Sequence, residues 1–389
     1  MSVLLDSAAP PATATATATA AAAGPAAASL AGAPARTLYA ALDLGTNNCR
    51  LLIVEPDARA HANGGFRVVD SFSRIVRLGE GLAATGRLGE AAMARTLDAL
   101  AVCAGKIAQR GAGPVRAVAT EACRRAANGE AFLRRVREQT GLALEIVTPR
   151  EEALLALCGV TPLVRPQPDV VLVVDIGGGS TEFSCLDLAA LDGGGLQEGT
   201  PLPEAGLAAE ASVPGLIGWR SLPLGVVTLA ESAGSDSAAD YAAMVARVRE
   251  GLAGFAAELD LAGRAARLGQ PLAVQCIGTS GTVTTLAAFG LGLPRYQRDR
   301  VDGLDLEATQ LRTMARGLRA LAPAARAAHP CIGRDRADLI VPGCAILEAV
   351  LDSWPIARVR VADRGLREGI LMLLMAEERT RAAAAGGAG

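Results

Sequence analysis

Two aspartates with the richest chemical setting recur in the same local context. Asp43 follows the apolar run Leu38–Leu42 and precedes Leu44-Gly45-Thr46-Asn47-Asn48. Asp175 follows Val170–Val174 and precedes Ile176-Gly177-Gly178-Gly179-Ser180. A strand-like run comes after each turn, Arg50–Glu55 and Thr181–Leu188. An Asp-x-Gly turn between two strands is neither a Walker A loop nor a dinucleotide fingerprint, since both of those open a helix. Its glycines let backbone approach a ligand closely, and exposed N–H groups there can cradle phosphate oxygens. One such hairpin is an ordinary tight turn. Two of them, roughly 130 residues apart, point to an internal duplication with a site between the halves. Two carboxylates facing a phosphate chain would repel it unless a divalent cation lay between them.

Two further segments carry candidate groups. Thr148-Pro149-x-Glu151 fits a helix start, with Thr148 and Glu151 as a capping box and Pro149 at the first helical position. That role accounts for Glu151 and leaves Glu152 over, near a helix N-terminus where anions are stabilised. Gly278-Thr279-Ser280-Gly281-Thr282 joins a strand to a helix and could present N–H groups to an anion.

The elements that would position these groups alternate between strand and helix, which argues an α/β fold. Strands are expected at Phe66–Phe72, Val115–Ala119, Leu144–Val147, Leu272–Ile277 and Val359–Ala362, with one ending near Ser221-Leu222-Pro223-Leu224-Gly225. Helices are expected over Glu90–Gln109, Glu130–Thr140, Arg336–Trp354 and from Gly365 to about Glu378. The Ala/Pro/Thr tract of residues 1–36 lacks an apolar period and is expected to be disordered, as are residues 381–389. A Gly/Pro-rich stretch from about Asp192 to Gly218 reads as a surface loop. The domain reading is 37–152 and 153–380, with the last helix able to pack back on the first domain.

Composition narrows the chemistry. The chain has 389 residues, 51% apolar and 20% charged, with a formal net charge of −2, so no global basic field marks a nucleic-acid partner. Only His61 and His329 are present, which disfavours a histidine-based zinc site or triad. A metal would then be held by carboxylates and phosphate, which suits Mg²⁺. The eight cysteines are scattered without a C-x-x-C pair, as expected of buried, reduced thiols. No basic-apolar leader and no long apolar run is evident, so a cytoplasmic protein with no membrane segment is expected. Lys106 is the sole lysine; arginine supplies the remaining positive charge.

Taken in order, these motifs resemble the exopolyphosphatase / guanosine pentaphosphate phosphatase (Ppx/GppA) family from Leu38 to Glu378. The resemblance rests on the Asp43–Arg50 segment, Ala119-Thr120-Glu121-Ala122-x-Arg124, Glu151-Glu152-Ala153 and Asp175–Glu182. It continues through Ser221–Gly225, Gly278–Thr282, Arg336-Ala337-Asp338 and Asp363-Arg364-Gly365-Leu366-Arg367-Glu368-Gly369. It implies two ribonuclease-H-like domains around a cleft, the superfold of actin, sugar kinases and heat-shock chaperones. It also implies Glu152 as general base, with Glu182 and Asp175 assisting through water and Mg²⁺, and Asp43, Asp175 and Glu182 as the metal-side carboxylates. Gly45, Thr46, Asn47, Arg50, Gly177, Gly178, Gly179, Ser180 and Thr181 would bind phosphate. Arg74 and Arg77 are weaker candidates for that task.

The implied activity is release of terminal orthophosphate from inorganic polyphosphate. Guanosine pentaphosphate is the alternative substrate, and a non-catalytic sensor of either ligand is an alternative of another class. A homodimer is compatible with the reading. The long family members' C-terminal histidine-aspartate-type domain is not expected in this chain. One departure stands out: the family usually has Arg after Glu-Ala, and here that position is Leu154. Loss of a charged hydrogen bond there would cost ~1–3 kcal/mol. Leu154→Arg is expected to leave an active enzyme's rate unchanged or raise it.

Overall fold

A computed structural model describes residues 37–57, 59–60, 64–165, 167–190, 213–233 and 235–386. The expected disorder of residues 1–36 and 387–389, and most of the expected loop from 192 onward, lie outside the described residues.

Apolar runs bounded by turns build two mixed sheets. The first has strands β1 (Tyr39–Leu44), β2 (Asn48–Pro56), β3 (Phe66–Ile75), β4 (Val115–Ala119) and β5 (Leu144–Ile146), in the order β3-β2-β1-β4-β5. The second has β6 (Val170–Ile176), β7 (Thr181–Asp187), β8 (Leu216–Leu222), β9 (Val274–Thr279), β10 (Asp305–Glu307) and β11 (Arg358–Ala362), in the order β10-β11-β9-β6-β7-β8. In both, the first three strands form an antiparallel meander, and the first strand then pairs in parallel with a later one. This shared 3-2-1-4-5 order is the ribonuclease-H-like topology, present twice. β10 is a short antiparallel edge strand on β11 that the sequence pattern does not announce.

β6 is a continuous Val/Leu run because helices cover both faces of its sheet. The core on one face gathers β6, β7 and β9 with the helices Ala238–Leu259, Gly281–Gly290 and Ile340–Ser353. The opposite face meets the helix Pro149–Val160. In the first sheet, the helix Glu90–Arg110 covers one face. The other face is covered by the helix Leu366–Gly386, whose Ile370, Leu371, Met372 and Met375 pack on Tyr39, Ala41, Leu52 and Val54. Each of those apolar side chains contributes about 1.5–3 kcal/mol on burial.

Two helices thus cross between the sheets, Pro149–Val160 and Leu366–Gly386, and they touch backbone to backbone. A Cβ on Gly159 would lie 1.9 Å from the Gly365 carbonyl oxygen, and one on Gly369 would lie 2.0 Å from that of Leu155. Only glycine permits that approach.

Several boundaries differ from expectation. The final helix runs on to Gly386, so residues 381–386 are helical rather than a disordered tail. Strand β8 starts at Leu216, inside the stretch read as loop to Gly218. The expected helix from Arg336 begins at Ile340, behind a 3₁₀ turn Arg334–Arg336. All eight cysteines are free and buried. Among the described residues, no helix is long and apolar enough to cross a membrane.

Candidate active site

The two Asp-x-Gly hairpins face each other across a cavity of about 510 Å³ between the sheets. Asp43 on β1 stands opposite Arg50 on β2. Asp175 on β6 stands opposite Glu182 on β7. The helix bearing Glu152 starts at the same place: Thr148 caps it by accepting the Glu151 N–H at 3.1 Å, with Pro149 in the first turn. The reciprocal half of the expected capping box does not form, because the Glu151 carboxylate pairs with Arg116 instead.

The loops themselves are locked together. A Cβ on Gly178 would come within 3.1 Å of Thr46 Cβ, and one on Gly179 within 2.5 Å of Thr46 Oγ1. The glycines of the second loop therefore serve first to let it press on the first loop. Gly177 and Gly178 also give their carbonyls to the Val226 and Val227 N–H groups, at 3.0 and 2.8 Å. Among the described residues, the N–H groups of Thr46, Asn47, Gly177, Gly178 and Gly179 donate none of the loop hydrogen bonds, and these residues line the cavity. Thr46 Oγ1 and Asn47 Oδ1 are buried without a partner. The unspent N–H groups and the Thr46 hydroxyl can donate to an anion with several oxygens, whereas Asn47 Oδ1 can only accept.

Among the described residues, seven carboxylates line this space, and Glu152, Asp175, Asp43 and Glu182 are the four on the hairpin side. Burial pushes Glu152 up to about 8, against the pull of Arg124, and the charges of Asp175 and Asp43 add to the rise. Burial also lifts Asp175 to about 6, with Asp43 adding to it and Arg50 opposing. Asp43 is raised by burial and held back by Arg50 and Arg367. Glu182 lies well above the carboxylate range through burial and the charges of Glu152 and Asp175, although Ser180 and Ser221 hydrogen-bond to it. Ser221 Oγ donates to Glu182 Oε1 at 2.8 Å. Glu152 is aimed by Arg124, whose Nη2 donates to Glu152 Oε2 at 3.0 Å and to Glu121 Oε2 at 2.8 Å. Arg124 is anchored in turn by its Nη1, which donates to the Val147 carbonyl at 2.6 Å.

This concentration of like charge is costly unless cations enter. Carboxylate oxygens such as those of Asp43, Asp175 and Glu182 are the donor type a hard divalent ion takes, with phosphate and water completing its shell. Among the described residues, no three acidic, histidine or cysteine side chains form a metal cage by themselves.

Most of the expected residues meet here: Asp43, Gly45, Thr46, Asn47, Arg50, Glu152, Asp175, Gly177–Gly179, Ser180 and Glu182 all line the cavity. Thr181 does not. Its hydroxyl donates to the Leu224 carbonyl at 2.8 Å and is fully buried, so its part is structural. Arg74 and Arg77 also stand outside the cavity lining: Arg74 lies over the Phe72 ring, and Arg77 reaches Asp338. Leu154 is packed in the apolar layer with Leu157, Val171, Val173 and Ile277. That layer is no place for a cation, and Arg124 already aims Glu152.

The opposite wall was not assigned a role from sequence. Arg298, Arg336, Arg364, Arg367 and Glu368 line it. Burial lowers Arg367. Burial tends to raise Glu368, but Arg367, Arg298 and backbone N–H groups outweigh it and hold the carboxyl below its usual range. The segment Asp363–Gly369 was a visible motif. Its convergence with Arg298 could not be read from spacing.

Comparison with known proteins agrees with this architecture. The profile of the Ppx/GppA phosphatase family matches residues 58–378. The chain belongs to this family. Exopolyphosphatase 2 of Mycobacterium tuberculosis is 33% identical over 360 residues, covering 87% of this chain and 99% of the relative. The guanosine-5′-triphosphate,3′-diphosphate pyrophosphatase of Photobacterium profundum is 28% identical over 365 residues, covering 89% of this chain but 61% of that one. The crystal structure of the Aquifex aeolicus Ppx/GppA family member matches with a TM-score of 0.65 at 27% identity, covering 88% and 98% of the two chains. This Ppx/GppA phosphatase shares its fold with the Aquifex aeolicus family member.

Proposed function

We propose that this member of the family is an exopolyphosphatase, releasing terminal orthophosphate from inorganic polyphosphate. The observation that carries the reading is Glu152: a buried carboxylate, aimed by Arg124, in the same cavity as two loops with unspent N–H donors. Hydrolysis of a phosphoanhydride needs a base for water, a charge clamp and an in-line leaving group. Glu152 accepts the proton of the attacking water. The N–H groups of the two loops, with Arg50, hold the phosphoryl oxygens as negative charge redistributes among them. Glu182, held by Ser221, and Asp175 orient the water from the other side. Mg²⁺, held by Asp43, Asp175 and Glu182, would neutralise the carboxylates and the phosphate oxygens between them.

Hydrolysis of guanosine pentaphosphate is the second reading. It is favoured by Val68, an exposed apolar side chain on the same cavity, which offers a surface for a base. The sensor reading loses its ground, since Leu154 sits in core rather than in place of a catalytic contact. The test is a phosphate-release assay with polyphosphate, guanosine pentaphosphate and ATP, with and without Mg²⁺. The expected result is Mg²⁺-dependent release from polyphosphate and negligible turnover of ATP. Undiminished turnover in excess chelator would refute the metal, and binding without release would refute the enzyme.

A further inference from the structure

One segment of the first lobe touches both phosphate loops' supports and the second lobe. It runs from Val76 to Gly81. On its inner side, the N–H groups of Val76 and Arg77 donate to the Asn47 carbonyl at 2.8 and 3.0 Å, and that of Gly79 donates to the Thr46 carbonyl at 2.9 Å. A Cβ on Gly79 would lie 2.3 Å from Thr46 Cγ2, so the fit is tight. On its outer side, the Gly81 N–H donates to Glu231 Oε1 at 2.8 Å. Glu231 belongs to the helix Val226–Ser232, whose first N–H groups hold Gly177 and Gly178. Both phosphate loops are therefore tied to one belt that crosses the cleft.

The belt has a second crossing. Arg77 Nη1 lies 3.0 Å from Asp338 Oδ2, while its Nη2 donates to Asp338 Oδ1 and to the Asp335 carbonyl, both at 3.2 Å. Arg77 makes these contacts with φ at 48°, in the left-handed region that disfavours a residue with a Cβ. Strain of this kind persists only where surrounding contacts enforce it. Between Asp335 and Asp338 stands Arg336, which lines the cavity.

We propose that Arg77 and Asp338 are positioning residues: their ion pair latches the two lobes, seating Arg336 on the cavity wall and the Thr46–Asn47 loop on its floor. The pair touches no substrate. It acts by holding the phosphate-binding groups of one lobe in register with those of the other. The expected consequence for substrate rests on the proposed phosphatase function; the latch does not.

Arg77→Gly tests this cleanly, because glycine suits the left-handed backbone while removing the guanidinium. In the full chain, Arg77→Gly and Asp338→Asn should each raise KM for polyphosphate about fivefold, the upper range for an exposed pair, with a smaller change in kcat. The double variant should be no worse than either single one. In the substrate-free protein, both variants should speed hydrogen exchange at the Gly79 and Gly81 amides without lowering the Tm of Arg77→Gly. Unchanged exchange, or fully additive effects on KM, would overturn the latch. Faster exchange with unchanged KM would overturn its role in seating substrate. Should the wild type hydrolyse neither polyphosphate nor guanosine pentaphosphate, the proposed function would fail while the exchange data still decided the latch.

Discussion

The two hairpins that face the cavity have the same length and opposite characters. Asp43 is paired in register with Arg50, and Asp175 with Glu182, each partner seven residues on. The position across from the aspartate is thus cationic in one half and anionic in the other. A duplicated scaffold has divided its labour. The first half neutralises: Arg50 restrains the carboxyls of both aspartates. The second half concentrates negative charge: burial first, then the charges of Glu152 and Asp175, raise Glu182. On the proposed function, Arg50 of the first half would steady the phosphate chain, and Asp175 and Glu182 of the second would orient the attacking water.

Removing the base should break the division most severely. Glu152→Gln preserves shape but cannot accept a proton, so turnover should fall by ~10²–10⁴-fold while polyphosphate binding survives. Single-turnover release and equilibrium binding, measured together, check this. Equal losses in both would mean that Glu152 holds substrate instead.

Leu154→Arg probes whether a cation can be added on the helix between the halves. The guanidinium would enter an apolar layer with no partner, at a cost of about 3–5 kcal/mol. Denaturant melts should show that loss, contrary to a harmless restoration of the family pattern. A variant as stable as the wild type would show that the layer opens.

Arg50→Met takes the cation from the first half. Loss of charged hydrogen bonds worth about 1.5–3 kcal/mol should raise KM roughly tenfold or more. Because Arg50 opposes the rise of Asp43 and Asp175, the midpoint of their titration should also move up. A changed KM with a fixed midpoint would separate binding from charge control.

The smallest effect is on stability against pH. In the metal-free protein, Asp175 titrates at about 6 and Glu152 at about 8, both above their unfolded values. Their neutral forms therefore favour the fold, and this contribution is complete below about pH 4 and lost as pH rises through 6 and then 8. Melts from pH 5 to 8.5 should show Tm falling by a few degrees, and less so with Mg²⁺ present. A flat profile would argue that the second half is less charged than its geometry implies.

Much of this division was legible in the sequence, because hairpins are local. Asp43 to Arg50 and Asp175 to Glu182 span one turn each, so strand periodicity alone sets them face to face. Glu152 was legible as the carboxylate left over once Thr148, Pro149 and Glu151 had been given to the helix start. Thr181 was implied by the resemblance alone; strand alternation turns it away from Glu182's face, and its hydroxyl donates to the Leu224 carbonyl. Arg77 misled because its residue type suggested phosphate contact, and Leu154 because it stands where the family usually has Arg. Arg77's partner lies more than two hundred positions away, and Leu154's neighbours include strands of the second sheet. The wall of Arg298, Arg364 and Arg367 was illegible for the same reason. Its members meet only when the final helix crosses back to the first lobe.

That return has a consequence for how the protein is made. The face of the first sheet formed by Tyr39, Ala41, Leu52 and Val54 waits for Ile370 to Met375. Roughly 300 residues must be synthesised in the interval, which at about 5–20 residues per second takes on the order of tens of seconds. For that time the nascent chain carries an uncovered apolar sheet with its own edge strand, an invitation to chaperones and to aggregation. Ribosomal pausing, premature stops or removal of Leu366–Gly386 would prolong it indefinitely. Yield of soluble protein should therefore depend more on that helix than on any residue of the cavity.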